Sequence, residues 1–176
     1  SKLGNIEMIK PTNLPANYLT VRDAIGHLPK IVAGAQHKSD PLHICAGLSE
    51  LNLERIRHSI PGGTWKDWPT RLVSDCHSKY TGQTYVGVYA RMVWDAPSPT
   101  MTTQCYGFGN GRFGHPEQDR AISLREAAAF QTFPQSYKFL PPTKKIAVAR
   151  LGKMIGNAVP VALGVAIGKS LVRHVR

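Results

Sequence analysis

The chain has 176 residues and a formal net charge of +11 at pH 7, because Lys+Arg 22 outnumber Asp+Glu 11. Its hydrophobic content of 42% suffices for a packed core and excludes a wholly disordered protein. The excess of positive charge points to a polyanionic partner, either nucleic acid or an anionic membrane surface, with a basic protein that lacks such a partner as the alternative.

The N-terminal half of the sequence predicts two short helices separated by a loop. Residues 20–28 predict the first helix, because Thr20 and Asp23 form a T-x-x-D start and a proline follows. Residues 30–47 predict a loop. Apolar residues at helical spacing then predict a second helix over 53–60, which ends at a Pro-Gly-Gly turn.

The C-terminal half predicts strands first and helices afterwards. Residues 85–94 and 100–105 are rich in β-branched and aromatic side chains and favour strands. Ser123 and Glu126 form a capping box, which predicts a helix that ends before the next proline. A last helix is predicted to begin near Pro160, since proline is favoured in a first helical turn.

The cysteine pattern is typical of a protein from a reducing compartment. Cys45, Cys76 and Cys105 are an odd set without a CxxC pair, so neither a disulfide framework nor a metal site is expected.

No signal-peptide pattern opens the chain, and we expect a cytoplasmic protein of the bacterial cytosol or nucleoid. The longest uncharged apolar stretch near the C-terminus, residues 155–168, has 14 residues, fewer than the roughly 20 that span a bilayer. No membrane partner is therefore expected.

Charge is distributed unevenly along the chain. No acidic residue follows Glu126, whereas eight basic residues do: Lys138, Lys144, Lys145, Arg150, Lys153, Lys169, Arg173 and Arg176. This pattern fits either a solvated basic C-terminus or a surface for a polyanion.

Three segments together resemble a known family. They are residues 91–103 (RMVWDAPSPTMTT), 111–134 (GRFGHPEQDRAISLREAAAFQTFP) and 156–160 (GNAVP). In this order and spacing they resemble the ninth and tenth conserved motifs of DNA (cytosine-5) methyltransferases. Residues 20–29 and 52–65 are similar to pieces of the same family's small domain, so the resemblance runs from about residue 3 to residue 172.

The motifs that carry catalysis in this family are absent from the sequence. There is no FxGxG cofactor loop, no Glu-Asn-Val segment and no arginine-rich eighth motif, and no cysteine follows a proline. The resemblance therefore implies the C-terminal part of such an enzyme, beginning just past the eighth motif. We expect no catalytic residue in this chain and no methyltransferase activity from it alone.

The resemblance also implies a fold. We expect an α+β protein: a small target-recognition domain with a twisted, mostly antiparallel sheet and short helices, plus a C-terminal helix that belongs to a missing Rossmann-like α/β methyltransferase domain. The expected division is a connector over 1–19, the target-recognition domain over 20–145 and the tenth-motif segment with its helix over 146–176.

The implied function is the DNA-binding, target-recognition portion of an enzyme that transfers a methyl group from S-adenosylmethionine to cytosine C5. Double-stranded DNA and the missing N-terminal catalytic domain are the expected partners, and binding of S-adenosylmethionine by this chain alone is not expected. Two alternatives stay open: a free-standing, non-catalytic DNA-binding module derived from such an enzyme, and a structural protein. The GNAVP segment favours the first interpretation, because a pure DNA-binding module has no use for a cofactor edge.

Seven residues are candidates for DNA contacts: Lys66, Arg71, Lys79, Thr81, Arg91, Thr102 and Arg112. Lysine and arginine neutralise phosphates, and arginine also binds guanine O6 and N7 in the major groove. The alternative is that these are ordinary surface groups, or structural groups in the case of the ninth-motif residues Arg91 and Thr102.

Asn157 and Ala158 are the candidates for contact with the cofactor, because the equivalent positions of the tenth motif touch S-adenosylmethionine in the family that the chain resembles. The alternative is that Asn157 caps the helix that begins near Pro160.

The predicted C-terminal helix is apolar around its whole circumference from residue 158 to residue 172. Such a helix is expected to be buried on several sides. We expect it to dock on a second copy of the chain, to pack on its own small domain, or to be poorly ordered.

Overall fold

The computed structural model describes residues 4–7, 9–11, 13–141 and 143–175, and six α-helices are found in this part of the chain. The helices are α1 (Val21–Ile25), α2 (Glu50–His58), α3 (Asp75–Ser78), α4 (Leu124–Phe130), α5 (Val148–Asn157) and α6 (Val161–Val175). One short 3-10 turn precedes α1 at Pro15–Asn17, and four lie between the helices at Trp65–Asp67, Thr70–Leu72, Tyr80–Gly82 and Phe108–Asn110. Loops make up most of the remainder.

The described residues contain no β-strand, so the expected α+β fold with a twisted antiparallel sheet is wrong. Backbone pairing between segments is limited to isolated bridges. Three bridges form a continuous row, in which Pro61 pairs with Arg91, Arg91 with Gly114, and Gly114 with Ala121. A fourth, separate bridge joins Gln36 to Ile44. Four segments thus meet side by side for a single residue each.

The two segments that favoured strands take other conformations. Tyr89 has a φ of 55°, in the left-handed region, which interrupts the extended backbone of 85–94. In 100–105 the N–H of Cys105 bonds to the carbonyl of Thr102 at 3.1 Å and closes a turn. Three of the aromatic and β-branched residues of 85–94 are partly buried against the aromatic core described below: Val86, Val88 and Tyr89. Tyr89 packs edge-on against Phe108 with ring centroids 5.5 Å apart.

Local capping signals predicted the helix starts well. Both capping boxes are present, Thr20 with Asp23 at α1 and Ser123 with Glu126 at α4. The second helix begins earlier than predicted, because the hydroxyl of Ser49 accepts the N–H of Asn52 and caps α2. The sequence pattern predicted no helix at α5, and the last helix begins at Val161, as expected from Pro160.

Two hydrophobic clusters support these elements. The helical core packs α1, α4 and α5 around buried residues that include Val21, Ile25, Leu124, Leu151 and Ile155. The aromatic core consists of Ile56, Trp65, Trp68, Leu72, Phe108 and Ala121, and it lies under the loops between α2 and α4.

A buried ionic group lies at the start of α4. Nη1 and Nη2 of Arg120 each approach a carboxylate oxygen of Glu126 to 2.7 Å, and both side chains are buried. Beside them, Nδ1 of the buried His115 accepts the backbone N–H groups of Glu117 and Gln118. Burial is the main cause that lowers the pKa of His115 to about 4. The imidazole is therefore neutral at pH 7.

Helix α6 is formed, but most of its apolar surface is open. Leu163, Val165, Leu171 and Val172 are each about half exposed, whereas Ser170 is buried and its hydroxyl accepts the N–H of Ile9 at 3.0 Å. By length and hydropathy alone, Val148–Val175 could cross a membrane. The turn between α5 and α6 divides this stretch, and α6 by itself is about 22 Å long, shorter than a hydrocarbon core of about 30 Å.

Candidate nucleic-acid interface and cofactor turn

The aromatic core fixes the loops that carry the candidate DNA-binding residues. The indole N–H of Trp65 donates to the carbonyl of Tyr85 at 2.8 Å, and its ring stacks on His77 at 4.5 Å between centroids. The indole N–H of Trp68 donates to the hydroxyl of Ser59 at 2.9 Å. Loops without strands are thereby held at defined positions by side chains that bury their rings and satisfy their N–H groups.

Lys66, Lys79 and Thr81 are exposed on two short turns of this region. Lys66 lies on the Trp65–Asp67 turn, where its ammonium stands 5.8 Å from the centroid of the Trp65 ring. Lys79 directly precedes the Tyr80–Gly82 turn that contains Thr81. Within the described residues neither lysine has a carboxylate partner, so both charges are available to an anion.

Arg71 is also exposed, but its guanidinium pairs with the carboxylate of Glu54 on α2. Exposed pairs of this kind contribute at most about 1 kcal/mol. A phosphate can therefore compete with Glu54 for Arg71 at little cost.

Thr102 and Arg112 both line one cleft of about 500 Å³. Residues of the loop around Tyr85 line the same cleft, together with the segment that ends at Phe113. Thr102 and Arg112 are both exposed, and Arg112 has no ion pair within the part of the chain that the structure describes. This cleft brings two of the predicted DNA-binding residues together, whereas Lys66 and Lys79 stand on separate turns.

Arg91 differs from the other candidates because its guanidinium is buried, with 6% of the side chain exposed. Nη2 and Nε donate to the carbonyl of Ile56, at 2.8 and 3.1 Å, while Nη1 donates to the carbonyls of His115 and Gln118, at 2.9 and 2.8 Å. The carboxylate of Asp119 also pairs with Nη2. Arg91 therefore ties the end of α2 to the 115–119 loop, which is the structural role considered as the alternative.

Asn157 is the last residue of α5, and its exposed side chain makes no hydrogen bond to another described residue. It does not cap α6. The first N–H groups of α6 are satisfied elsewhere: that of Val161 bonds to the carbonyl of Gln131 at 3.0 Å, and that of Ala162 bonds to the hydroxyl of Thr132 at 2.9 Å. The Asn157 amide is thus free to contact a ligand.

The turn that follows α5 lies directly against the ninth-motif segment. A Cβ added to Gly156 would stand 1.8 Å from the carbonyl oxygen of Thr102. Only glycine allows this close approach. Asn157, a predicted cofactor residue, directly follows Gly156 in the chain and is therefore next to the residue that touches the backbone of Thr102, a predicted DNA-binding residue.

Two of the three thiols are buried and are poor nucleophiles at neutral pH. Cys45 and Cys105 are buried, and burial raises the pKa of both, to about 11 for Cys105. Both thiols are therefore protonated at neutral pH, whereas the nucleophile that attacks a carbon centre is the thiolate. Cys76 is exposed on α3, where it follows Asp75.

One residue of the site was not among the candidates predicted from the sequence, although it lies in the 111–134 motif segment. Gln131 follows α4, is 5% exposed, and its side-chain amide donates to the carbonyls of Ile155 and Ala158 at 3.0 and 2.8 Å. A single glutamine after a helix is an ordinary pattern, and only the tertiary structure brings it to the turn that carries Asn157.

The chain is similar over most of its length to known proteins of one family. Residues 5–173 match the family model described as C-5 cytosine-specific DNA methylase. The chain is 55% identical over 173 residues to the type II methylase M.HgiDII of Herpetosiphon aurantiacus, covering 98% of the chain and 49% of that protein. It is 36% identical over 182 residues to DNA (cytosine-5)-methyltransferase 3 of Arabidopsis thaliana, covering 89% of the chain and 13% of that protein. For the type II methyltransferase M.PspPI of Psychrobacter sp. (strain TA137), the identity is 39% over 158 residues, or 88% of the chain and 35% of that protein.

The chain therefore spans about half the length of M.HgiDII and smaller shares of the other two relatives. A match over 5–173 covers nearly the whole chain, and it agrees with the motif segments at 91–103, 111–134 and 156–160. The chain belongs to the C-5 cytosine-specific DNA methylase family.

Proposed function

We propose that this chain is the target-recognition and cofactor-edge portion of a DNA (cytosine-5) methyltransferase. Residues 20–145 bind the DNA in this proposal, and residues 146–176 form one side of the pocket for S-adenosylmethionine. The observation that carries it is the contact between Gly156 and Thr102, because this contact joins the candidate cofactor turn to the candidate DNA-binding cleft.

The residues at the turn fit the amino-acid end of S-adenosylmethionine. The side-chain amide of Asn157 offers two donors and one acceptor, and it is exposed without a partner among the described residues. Such a group can bind a carboxylate or an ammonium. When bound, S-adenosylmethionine supplies the methyl group, and the role of Asn157 and Ala158 is to hold and orient it.

The DNA contacts fall into two classes. Lys66, Lys79 and Arg71 would neutralise phosphates, since they are exposed cations on the outer turns. Thr102 and Arg112 share the cleft, where an arginine and a hydroxyl can reach base edges or the sugar-phosphate backbone. Arg91 has a structural role here, because its guanidinium binds the backbone carbonyls of Ile56 and His115.

The attacking thiolate is assigned to another part of the enzyme. Cytosine C5 becomes nucleophilic only after a thiolate adds to C6, and the target base must leave the duplex to be reached. The raised pKa of Cys45 and of Cys105 supports this assignment, because neither group provides a thiolate at neutral pH.

Two experiments test the proposal. The coding sequence upstream of Ser1 should encode, in frame, a Pro-Cys segment and a glycine-rich cofactor loop. The complete protein, incubated with labelled S-adenosylmethionine and mixed-sequence duplex DNA, should place label on cytosine C5, whereas the 176-residue chain alone should not. Label transferred by the chain alone would overturn the assignment of the nucleophile. DNA binding without an upstream catalytic segment would favour the free-standing DNA-binding module instead.

A further inference from the structure

The turn between α5 and α6 is held from both sides by two residues at the end of α4. The buried side chain of Gln131 donates to the carbonyls of Ile155 and Ala158, at 3.0 and 2.8 Å, and more distantly to that of Gly156 at 3.5 Å. The carbonyl of Ile155 also accepts the N–H of Ala158 at 3.1 Å, whereas among the described residues the carbonyl of Ala158 receives its hydrogen bond from Gln131 alone. The Gln131 amide thus satisfies a carbonyl at the end of α5 that would otherwise need water.

The backbone next to this side chain holds the other end of the turn. The carbonyl of Gln131 accepts the N–H of Val161 at 3.0 Å, and the hydroxyl of Thr132 accepts the N–H of Ala162 at 2.9 Å. Thr132 has a φ of 57°, which a β-branched residue adopts only under strain. The surrounding bonds thus maintain an unfavourable backbone conformation that closes the turn.

Asn157 lies in the middle of the segment that Gln131 spans. Its side chain is exposed and unbonded among the described residues, whereas the backbone on either side is fixed by the Gln131 amide. A free side chain on a fixed backbone meets a ligand with little loss of conformational freedom.

We propose that Gln131 is a positioning residue for the cofactor: its side-chain amide holds the 155–158 backbone so that Asn157 and Ala158 face S-adenosylmethionine. This inference rests on the proposed function. Gln131 itself does not touch the cofactor, so its effect is on the fraction of molecules in which the turn is correctly formed.

The test uses the complete enzyme and two variants, Gln131→Met and Gln131→Glu. The first keeps the side-chain length without the N–H donors, and the second replaces the donors with an acceptor that faces three carbonyls. Gln135→Met, at an exposed loop position, is the matched control. Because two hydrogen bonds are lost, we expect the Kd for S-adenosylmethionine, measured by calorimetry without DNA, to rise about tenfold in both variants. The KM for S-adenosylmethionine should rise with little change in kcat.

Two further measurements separate a positioning role from a merely structural one. Amide hydrogen exchange should accelerate at Ala158 and Val161, while the Kd for duplex DNA stays within about twofold of the parent enzyme, since α4 and the loops remain folded. Accelerated exchange with an unchanged Kd for S-adenosylmethionine would overturn the inference.

A reference variant separates this inference from the proposed function. Asn157→Ala should also weaken S-adenosylmethionine binding but leave hydrogen exchange in the turn unchanged. If neither Asn157→Ala nor Gln131→Met alters cofactor binding, the cofactor-edge assignment itself fails. If Asn157→Ala weakens binding and both Gln131 variants bind normally, only the positioning role is rejected.

Discussion

The carboxylate of Glu126 neutralises Arg120 inside the protein and at the same time caps its own helix. Two 2.7 Å contacts join it to the guanidinium, and Oε2 also accepts the N–H of Ser123 at 2.7 Å. The hydroxyl of Ser123 accepts the N–H of Glu126 in return and contacts Nδ1 of His43 at 2.8 Å. One acidic residue therefore links the ionic group to α4.

Replacing Glu126 with alanine should destabilise the protein by about 3–5 kcal/mol, because the guanidinium of Arg120 would be left buried without a counter-charge. Urea-induced unfolding, followed by circular dichroism, measures the effect. The double variant Arg120→Met/Glu126→Leu should be less destabilised than Glu126→Ala, since it leaves no unpaired charge. A loss below about 1 kcal/mol in Glu126→Ala would contradict this interpretation of the pair.

The buried imidazole of His115 should make stability depend on pH between about 6.5 and 4. The pKa falls from 6.5 to about 4 on folding, mainly through burial, while Glu126 opposes the shift and Arg120 supports it. The unfolded chain therefore binds a proton in this range that the folded protein does not. Stability is complete above pH 6.5 and falls by about 3 kcal/mol as the pH drops to 4.

The comparison variant for this pH effect is His115→Asn. Its side-chain oxygen can accept the N–H groups of Glu117 and Gln118, but it does not titrate. Thermal unfolding measured from pH 4 to pH 8 should show a steeper decline at acid pH for the parent protein than for His115→Asn. Parallel curves would show that His115 is not the titrating group.

Substitution of Gly156 by alanine should separate the turn after α5 from the ninth-motif segment. The added Cβ would stand 1.8 Å from the carbonyl oxygen of Thr102, so α5 must shift. Overpacking of this kind costs about 1–3 kcal/mol. Gly164→Ala is the control: no atom lies within 4 Å of its added Cβ, and it should stabilise α6 by about 0.5–1 kcal/mol. Equal effects at the two positions would be inconsistent with the close approach at Gly156.

Binding of this chain to duplex DNA should weaken with salt. If Lys66, Arg71, Lys79 and Arg112 each neutralise one phosphate, log K should fall with log salt at a slope of roughly −3.6. Each alanine variant should reduce the slope by about 0.9, whereas Lys169→Ala on α6 should leave it unchanged. Fluorescence titrations at several salt concentrations give the slopes. A slope near zero in the parent chain would argue against phosphate contacts.

Arg91 and Arg112 should respond differently to replacement by lysine. Arg91→Lys removes most of the donors that bind buried carbonyls, and it should destabilise the protein by at least about 2 kcal/mol. Arg112 is exposed without an ion pair among the described residues, so Arg112→Lys should leave stability within about 0.5 kcal/mol and lower DNA affinity where the guanidinium contacts a base. Melting temperatures and DNA titrations on the same samples separate the two effects.

The sequence predicted the features of this fold that depend on local signals. The capping boxes at Thr20 and Ser123 specify helix starts through residues three positions apart, and both are present. The predicted strands were wrong because Val86, Val88 and Tyr89 pack, partly buried, on rings from distant segments, and such packing favours the same residue types as a strand.

Tertiary contacts explain the remaining differences. Helix α5 was not predicted, since Ala147 provides no side-chain cap and two glycines lower its helix propensity. The structure explains why both positions are glycine. An added Cβ at Gly152 would lie 2.5 Å from the Tyr106 ring, and one at Gly156 would collide with the backbone of Thr102. The family motifs indicated Asn157 and Arg91, but the burial of Arg91 and the approach of Gln131 depend on chain segments far apart in the sequence.

The bonds made by Arg91 have an evolutionary consequence. Its guanidinium binds the main-chain carbonyls of Ile56, Ser59, His115 and Gln118, and a carbonyl is present whatever the side chain. Substitutions in the exposed loops near these positions leave the acceptors of Arg91 in place. The sequence of these loops can therefore vary widely, while the hydrogen bonds of one arginine keep their backbone in place.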